Sequence, residues 1–426
     1  MLTARRLMAL CGMLMGLVLA LALQAAPGRH WSARADSVQS AGVEATTVTG
    51  SIGGYQEGVE AVAFAVEESG RVHVLWTGKL NPHFEDYCFY STSIDGVNWT
   101  PYQILNPWHS YQPSLAVDNA RNRAHLVYGT GDGIVHRVSA AGTLSPPTVV
   151  IEPRTSNLPD FPLPSGGIGW PAIAVADDSG FAYLLWREGY YTRVGTSYPY
   201  RYRTWHAYWD GSDWTEPRWV INDEDTAYSS IAAAPDGQVM LAWFQRWEQS
   251  LGDTVSPGDP IVARTAYGTT PGSYGLRQAT HELYAVPERD ESILLAYAPG
   301  MDAFVLASDH AMWPGHSRVY RYLWQDGAWS GPLDVAQNSS GWALPVHVGA
   351  AADRALVRYV YTDGGVTKMR TEVDGVLNPP VLLADFLSVR GYSGTPAAFF
   401  TDASGELHTV VVGEKDGVSG FYYVRP

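Results

Sequence analysis

The sequence predicts an all-β fold, a β-propeller of seven four-stranded blades, or six if one weak copy is not a blade. Three observations carry this: the density of chain-breaking residues, an internal repeat of about 56 residues, and a recurring Asp-Gly turn followed by tryptophan. The 426 residues include 43 glycines and 27 prolines. That is roughly one breaker every six positions, too dense for helices with a typical mean of about 11 to 12 residues. The chain also holds 16 Trp, 25 Tyr and 11 Phe against only 17% charged residues. So apolar a composition excludes a disordered chain, and so punctuated a one excludes a coiled coil or helical bundle. Length alone would allow two or three domains of about 150 residues, a prior that all-β architectures often break.

The repeat consists of an apolar strand, an acidic or glycine turn, and a second apolar strand that often ends in an aromatic. Val62 to Val66 leads through Ser69-Gly70 to Val72 to Trp76, and Ser114 to Asp118 leads to Ala124 to Tyr128. Pro171 to Val175 crosses Asp178-Ser179-Gly180 to Ala182 to Trp186, and Ser230 to Ala233 crosses Pro235-Asp236-Gly237 to Val239 to Trp243. Weaker copies pair Ile293 to Tyr297 with Ala303 to Ala307, Leu344 to Val348 with Ala355 to Val360, and Pro396 to Phe400 with Leu407 to Val412.

The turn signature falls later in the period. Asp95-Gly96-Val97-Asn98-Trp99 recurs as Asp210-Gly211-Ser212-Asp213-Trp214 and as Asp326-Gly327-Ala328-Trp329, with a weak copy at Asp374-Gly375. Asp-Gly supplies the positive φ of a tight hairpin. Each period therefore holds four antiparallel strands, A to D. No single unit buries both of its faces, so units stack on their neighbours, and radial closure of seven gives the propeller. A sandwich would leave the period unexplained. Glu44 to Thr49 forms a spare strand before the first copy, and the last copy ends after its third strand, Gly420 to Val424. Pairing the two would complete the last blade and hide two sheet edges.

Residues 1–35 read as a signal peptide and short leader, with residues 36–426 as the propeller domain. Arg5 and Arg6 precede an uncharged apolar run, Met8 to Leu23, followed by small residues near positions 25 and 35 as cleavage points. The run of about 16 residues is short for a membrane span of about 20. A secreted chain without a membrane span after cleavage is expected. Net charge is −15, and removing the leader takes four arginines and no acid, so the mature surface becomes more acidic. Such a surface disfavours nucleic acid and anionic lipid. Cys88 would be the one cysteine left, within an aromatic strand, so no internal disulfide is expected and the thiol reads as buried and inert.

Tyr90-Ser91-Thr92-Ser93-Ile94-Asp95-Gly96-Val97-Asn98-Trp99 resembles the Asp-box, or bacterial neuraminidase repeat, of sialidase-like propellers. It is one residue shorter than Ser-x-Asp-x-Gly-x-x-Trp, and the other copies lack the leading serine. The resemblance implies the propeller fold and a structural role for Asp95, Asp210 and Asp326, opposite the face that carries activity in that family. The family's Phe/Tyr-Arg-Ile/Leu-Pro motif, which supplies an arginine for carboxylate binding, is not found in this sequence, so sialic acid cleavage is not carried over.

Strand direction places the A–B and C–D turns on one rim and the B–C and D–A loops on the other. The second set is long and rich in aromatic, arginine and acidic residues, as functional loops on a rigid scaffold tend to be. Sugars need aromatic platforms for their C–H faces and planar groups for hydroxyls or carboxylates. Trp108, Trp170, Arg187, Tyr191, Arg246, Trp247, His316 and Arg318 are the candidate ligand contacts. Glycoside hydrolysis would need two carboxylates, and Glu188, Glu248 and Asp309 are the candidates. The expected partner is a glycan or other extracellular ligand, bound by a monomer. The alternative is a non-catalytic scaffold whose rim contacts a protein. The histidines show no HExxH or similar spacing, and neither a metal nor a cofactor is assigned. Asp223 to Asp225 read as a solvated acidic turn rather than a calcium loop.

Overall fold

Seven antiparallel sheets carry the repeat, six built from strands contiguous in sequence and the seventh joining the last three strands to the first. The structure is a computed structural model that describes residues 44–49, 59–79, 86–106, 110–130, 133–151, 166–191, 200–220, 226–246, 261–268, 281–286, 292–312, 316–337, 343–363, 366–383, 397–415 and 418–425. The leader, the acidic turn at 223–225, and Trp108, Trp247 and Glu248 lie outside the described residues.

An initial strand, β1, spans Glu44–Thr49. Blade 1 comprises β2 (Val59–Val66), β3 (Val72–Gly78), β4 (Tyr87–Ser93) and β5 (Gln103–Asn106). Blade 2 comprises β6 (Tyr111–Asp118), β7 (Arg123–Thr130) and β8 (Gly133–Ala140), with β9 (Thr143–Leu144) and β10 (Thr148–Ile151) outside them. Blade 3 has β11 (Gly166–Ala176), β12 (Phe181–Tyr191), β13 (Tyr200–Trp209) and β14 (Arg218–Trp219). Blade 4 has β15 (Thr226–Ala233), β16 (Val239–Arg246), β17 (Ile261–Gly268) and β18 (His281–Val286). Blade 5 has β19 (Ile293–Ala298), β20 (Ala303–Met312), β21 (His316–Gln325) and β22 (Ala328–Gln337). Blade 6 follows with β23 (Ala343–Ala350), β24 (Leu356–Asp363), β25 (Val366–Val373), β26 (Val376–Leu377) and β27 (Val381–Leu382). Blade 7 consists of β28 (Ala397–Thr401), β29 (Leu407–Lys415) and β30 (Val418–Arg425). The strand β1 pairs antiparallel with β30, Glu44 opposite Arg425 and Thr47 opposite Tyr422.

The innermost strands of successive blades touch in order around a ring, from β2 to β6 and onward, with β28 meeting β2. Every second strand of a blade thus has a neighbouring sheet on both faces. This explains why those strands read as unbroken apolar runs rather than as alternation. All of β3 is buried. In blade 3, Leu184 and Trp186 face Val127 and Ile134 of blade 2, whereas Tyr183 and Leu185 face Ile231 and Leu241 of blade 4. The period of two along a strand divides one run between two cores.

The fourth strand of the period is split in two of the blades. In blade 2 both β9 and β10 pair with β8, and in blade 6 both β26 and β27 pair with β25. Pro146-Pro147 and Pro379-Pro380 separate the halves. Proline cannot donate to the ladder, so the outer strand breaks at the pair and resumes beyond it.

The Asp-Gly turns form by two routes. Asp326 and Gly327 have φ of 53° and 78°, and Asp374 and Gly375 of 50° and 79°, the paired positive values of a two-residue hairpin. In the box turn, Asp95 Oδ1 accepts the backbone N–H groups of Val97 and Asn98 at 2.8 and 2.7 Å. These bonds, Asn98's first, hold the Asp95 carboxyl below the usual carboxylate range. Gly96 combines a φ of 70° with an approach to the Tyr423 ring that leaves no room for a Cβ. Each box tryptophan reaches back to the third strand of the preceding blade. Trp214 Nε1 donates to His136 Nδ1 (3.2 Å), Trp329 Nε1 donates to Thr265 Oγ1 (3.0 Å), and Trp99 meets Tyr423 edge-on at 5.9 Å.

His136 therefore accepts at Nδ1 and carries its proton at Nε2, which donates to His125 Nδ1 at 3.0 Å. Burial drives His136 down to about 3, with Arg123 adding to the shift, and drives His206 down to about 4, helped by Arg218. Both folded values lie below the ordinary histidine value of about 6.5, so the unfolded chain takes up protons first as pH falls. Their contribution is complete above about pH 6.5 and is lost toward pH 4, at up to about 1.4 kcal/mol per pH unit for each histidine. Urea midpoints measured from pH 7 to 4 should fall accordingly, and more gently in His136→Gln and His206→Gln. Equal pH slopes in wild type and variants would show that these histidines do not control acid stability.

Candidate functional site

On the B–C/D–A rim, β12 and β13 of blade 3 remain paired out to Tyr191 and Tyr200. The inner strand β11 carries a bulge between Gly169 and Ala172. There Trp170 takes a φ of 54° and turns its ring outward, 40% exposed. A bulge re-aims a side chain in this way, and they gather next to sites. The Arg187 guanidinium lies over both the Trp170 ring, at 4.6 Å, and the Tyr202 ring, at 4.1 Å. The two rings meet edge-to-face at 5.7 Å and 87°. Arg187 itself is 6% exposed. A cation held against two aromatic faces is fixed in position while its charge is retained.

Glu188 adjoins Arg187 in sequence but points to the opposite face of the sheet. It shares the side of Trp186 and Trp205, which stack at 6.4 Å and 7°, and its Oε2 accepts Trp205 Nε1–H at 2.8 Å. Glu188 is also 6% exposed. The two neighbours therefore serve separate environments and do not converge on one ligand atom.

The other candidates are distributed around the ring. Asp309 lies near the end of β20, fully buried. Its Oδ1 accepts the Ser292 N–H at 2.8 Å, and Ser292 Oγ in turn donates to the Pro345 carbonyl of blade 6 at 2.8 Å. This chain ties two blades at the rim. Arg318, at the start of β21, donates from Nη1 to the Tyr320 hydroxyl at 3.3 Å and lies 3.6 Å from Asp334 Oδ2. The Tyr320 hydroxyl, and then Asp334, raise its pKa further. Arg246, Tyr191 and His316 occupy strand ends on this rim, with side chains outside the described residues.

Two residues of the blade 3 cluster, Tyr202 and Trp205, were not among the sequence candidates. Their signal was the alternation Tyr200-Arg201-Tyr202-Arg203-Thr204-Trp205. Read with a period of two, it places Tyr202 and Thr204 on one face and Trp205 on the other. Cys88 is fully buried and its thiol pKa is raised by burial, in keeping with an inert core position.

No protein-family model matches the sequence, and no curated protein matches it. Solved structures do. An ulvan lyase bound to a GlcA(1-4)Rha3S saccharide aligns at 12% identity over 84% of this chain and 90% of its own, with a TM-score of 0.53. A second polysaccharide lyase aligns at 11% identity over 86% and 90%, with a TM-score of 0.51. A Hadza microbial sialidase aligns at 12% identity over 86% of this chain, with a TM-score of 0.46, and this chain spans 65% of its length. The chain shares the propeller fold of the two lyases. At such identities the likeness is one of backbone architecture, and the side chains of the rim are read on their own terms.

Proposed function

We propose that the protein recognises carbohydrate on the B–C/D–A rim, with the Trp170–Arg187–Tyr202 cluster of blade 3 as a principal contact. The observation that carries this is the exposed indole of Trp170 resting on a buried, aromatic-clamped guanidinium. An indole face suits the C–H surface of a pyranose, and the arginine beneath it supplies hydrogen-bond donors and positive charge on a chain of net charge −15. Two propellers of similar fold are polysaccharide lyases, one of them bound to a saccharide, which supports the ligand class. A glycosidase-type activity belongs to the same proposal, with Glu188, Glu248 and Asp309 as the candidate acids. In this reading residues 1–35 direct export, and a monomeric propeller meets its glycan outside the cell.

A glycan array and a fluorogenic glycoside panel test the proposal on the full chain. Trp170→Ala should weaken binding about tenfold, or about 1.4 kcal/mol, and lower the melting temperature only modestly, since Tyr202 still covers Arg187. Unaltered binding in that variant would remove blade 3 from the site. Silence of the wild type on both panels would favour the scaffold reading, which one observation also supports. Val376, Val381 and Leu382 expose more than half of their surface together at the outer edge of blade 6, a position suited to a protein partner.

A further inference from the structure

The opposite rim carries a second constellation, made by the A–B turns of the first and last blades. The two turns align residue for residue. Glu67-Glu68-Ser69-Gly70-Arg71-Val72-His73 corresponds to Asp402-Ala403-Ser404-Gly405-Glu406-Leu407-His408. In both, the serine hydroxyl donates to the first carboxylate, at 2.8 Å in blade 1 and 2.7 Å in blade 7. The histidine Nε2 meets the same carboxylate at 2.8 and 2.9 Å. The histidine Nδ1 meets a third-strand tyrosine hydroxyl, Tyr90 at 2.7 Å and Tyr423 at 2.5 Å.

One position differs in charge. Blade 1 places Arg71 beside Glu67, Nε to Oε2 3.8 Å, so its turn carries a built-in cation. Blade 7 places Glu406 there instead. Asp402, Glu406 and His408 consequently bring two carboxylate oxygens and an imidazole nitrogen within 4.8 Å of one another. Asp402 and His408 also line a cavity of about 410 Å3, whose wall adds the carboxylates of Glu67, Glu68 and Asp95. No lysine or arginine is among its described lining residues. From blade 6, Arg354 and Arg358 approach the same turn. Arg354 donates to the Ser404 carbonyl at 2.7 Å, and Arg358, half-buried beside Arg354, faces the carboxylates of Asp402 and Glu406.

We propose that Asp402, Glu406 and His408 bind a zinc-type divalent cation, which competes with Arg358 for the two carboxylates. With a metal on Nε2, the His408 proton sits on Nδ1 and is donated to the Tyr423 hydroxyl, the outer hydrogen bond that orients a ligating histidine. Without a metal, Nε2 carries a proton to Asp402, as the 2.9 Å contact allows. Two carboxylates and one imidazole satisfy three positions of a tetrahedral ion, and the cavity leaves room for water at the fourth. A nitrogen ligand and a small ligand count favour zinc over calcium or magnesium. The site stands on the rim opposite blade 3's aromatic cluster, so it does not depend on the carbohydrate reading.

The test is equilibrium dialysis of chelator-stripped full-length protein against Zn2+, followed by metal analysis. Wild type should retain one zinc per chain more than Glu406→Arg, which copies the blade 1 arrangement, and excess Ca2+ or Mg2+ should not displace it. Glu406→Gln, which keeps the side chain's shape, should show the same loss. Zinc should raise the melting temperature of wild type and leave that of both variants unmoved. Glu406 is exposed, so both variants are expected to fold, which the stripped proteins' melting temperatures will check. No zinc uptake by wild type, or equal uptake by all three proteins, would overturn the proposal.

Discussion

Truncating Glu372 to alanine is expected to destabilise the protein by about 3–5 kcal/mol, the cost of leaving a buried partner charge uncompensated. Glu372, on β25 of blade 6, is almost fully buried. It accepts Arg321 Nε at 3.1 Å and also Arg321 Nη2, from β21 of blade 5, and it accepts the Tyr359 hydroxyl at 2.7 Å. Removing the carboxylate strands a guanidinium and a phenol between two blades. Replacing the whole group by Arg321→Met, Glu372→Leu and Tyr359→Phe together removes every charge and polar tip at once and should restore most of the loss. Denaturant midpoints of the single and triple variants decide the matter. A single variant costing less than about 1 kcal/mol would place the pair in the class of solvent-screened surface bridges.

Trp186→Ala should cost a similar amount, about 3–5 kcal/mol, for a different reason. The side chain is fully buried, lies flat against Trp205, and fills the space between blades 2 and 3 beside Val127 and Ile134. Alanine leaves a cavity that rigid strands on either side cannot close. Trp186→Phe separates volume from polarity. It keeps a ring and deletes a buried indole N–H that has no hydrogen-bond acceptor among the described residues, so its cost should fall clearly below that of alanine. Thermal or denaturant unfolding of the pair reads the difference, and equal losses would mean that the ring's volume is not what matters.

The architecture was legible because its signals are local. Strand pairs such as Val62–Val66 with Val72–Trp76 are joined by short turns, and their apolar runs announce burial on both faces. Asp-Gly turns and tryptophans such as Asp210-Gly211 and Trp214 repeat the same hairpin. What escaped the sequence is non-local. Glu372 and Arg321 are 51 positions apart, and no spacing rule links the third strands of neighbouring blades. The broken outer strands at Pro146-Pro147 and Pro379-Pro380 had a readable cause, yet the four-strand template concealed it.

The candidate site was legible in part, for a similar reason. Trp170 and Arg187 were singled out separately, and their meeting depends on the bulge in β11, which no residue pattern marked. Arg187 and Glu188, singled out for different roles, adjoin in sequence. Strand geometry sends adjacent side chains apart, and the pair divides between the cores of two different blade junctions. The Asp402–Glu406–His408 group was missed because its spacing matches no familiar ligand motif. Only the comparison with the Arg71-bearing turn makes the exchanged charge visible.

The tryptophans that reach back one blade have a bearing on how the protein is made. Trp214 and Trp329 find His136 and Thr265 already synthesised upstream, so those contacts can form as the chain leaves the ribosome. Trp99 emerges early, while its partner Tyr423 belongs to the seventh blade, far downstream. The nascent first blade must therefore wait, with an aromatic edge uncovered, until the seventh blade has been made. An early stop codon just short of Tyr423 would injure the part of the protein that was built first.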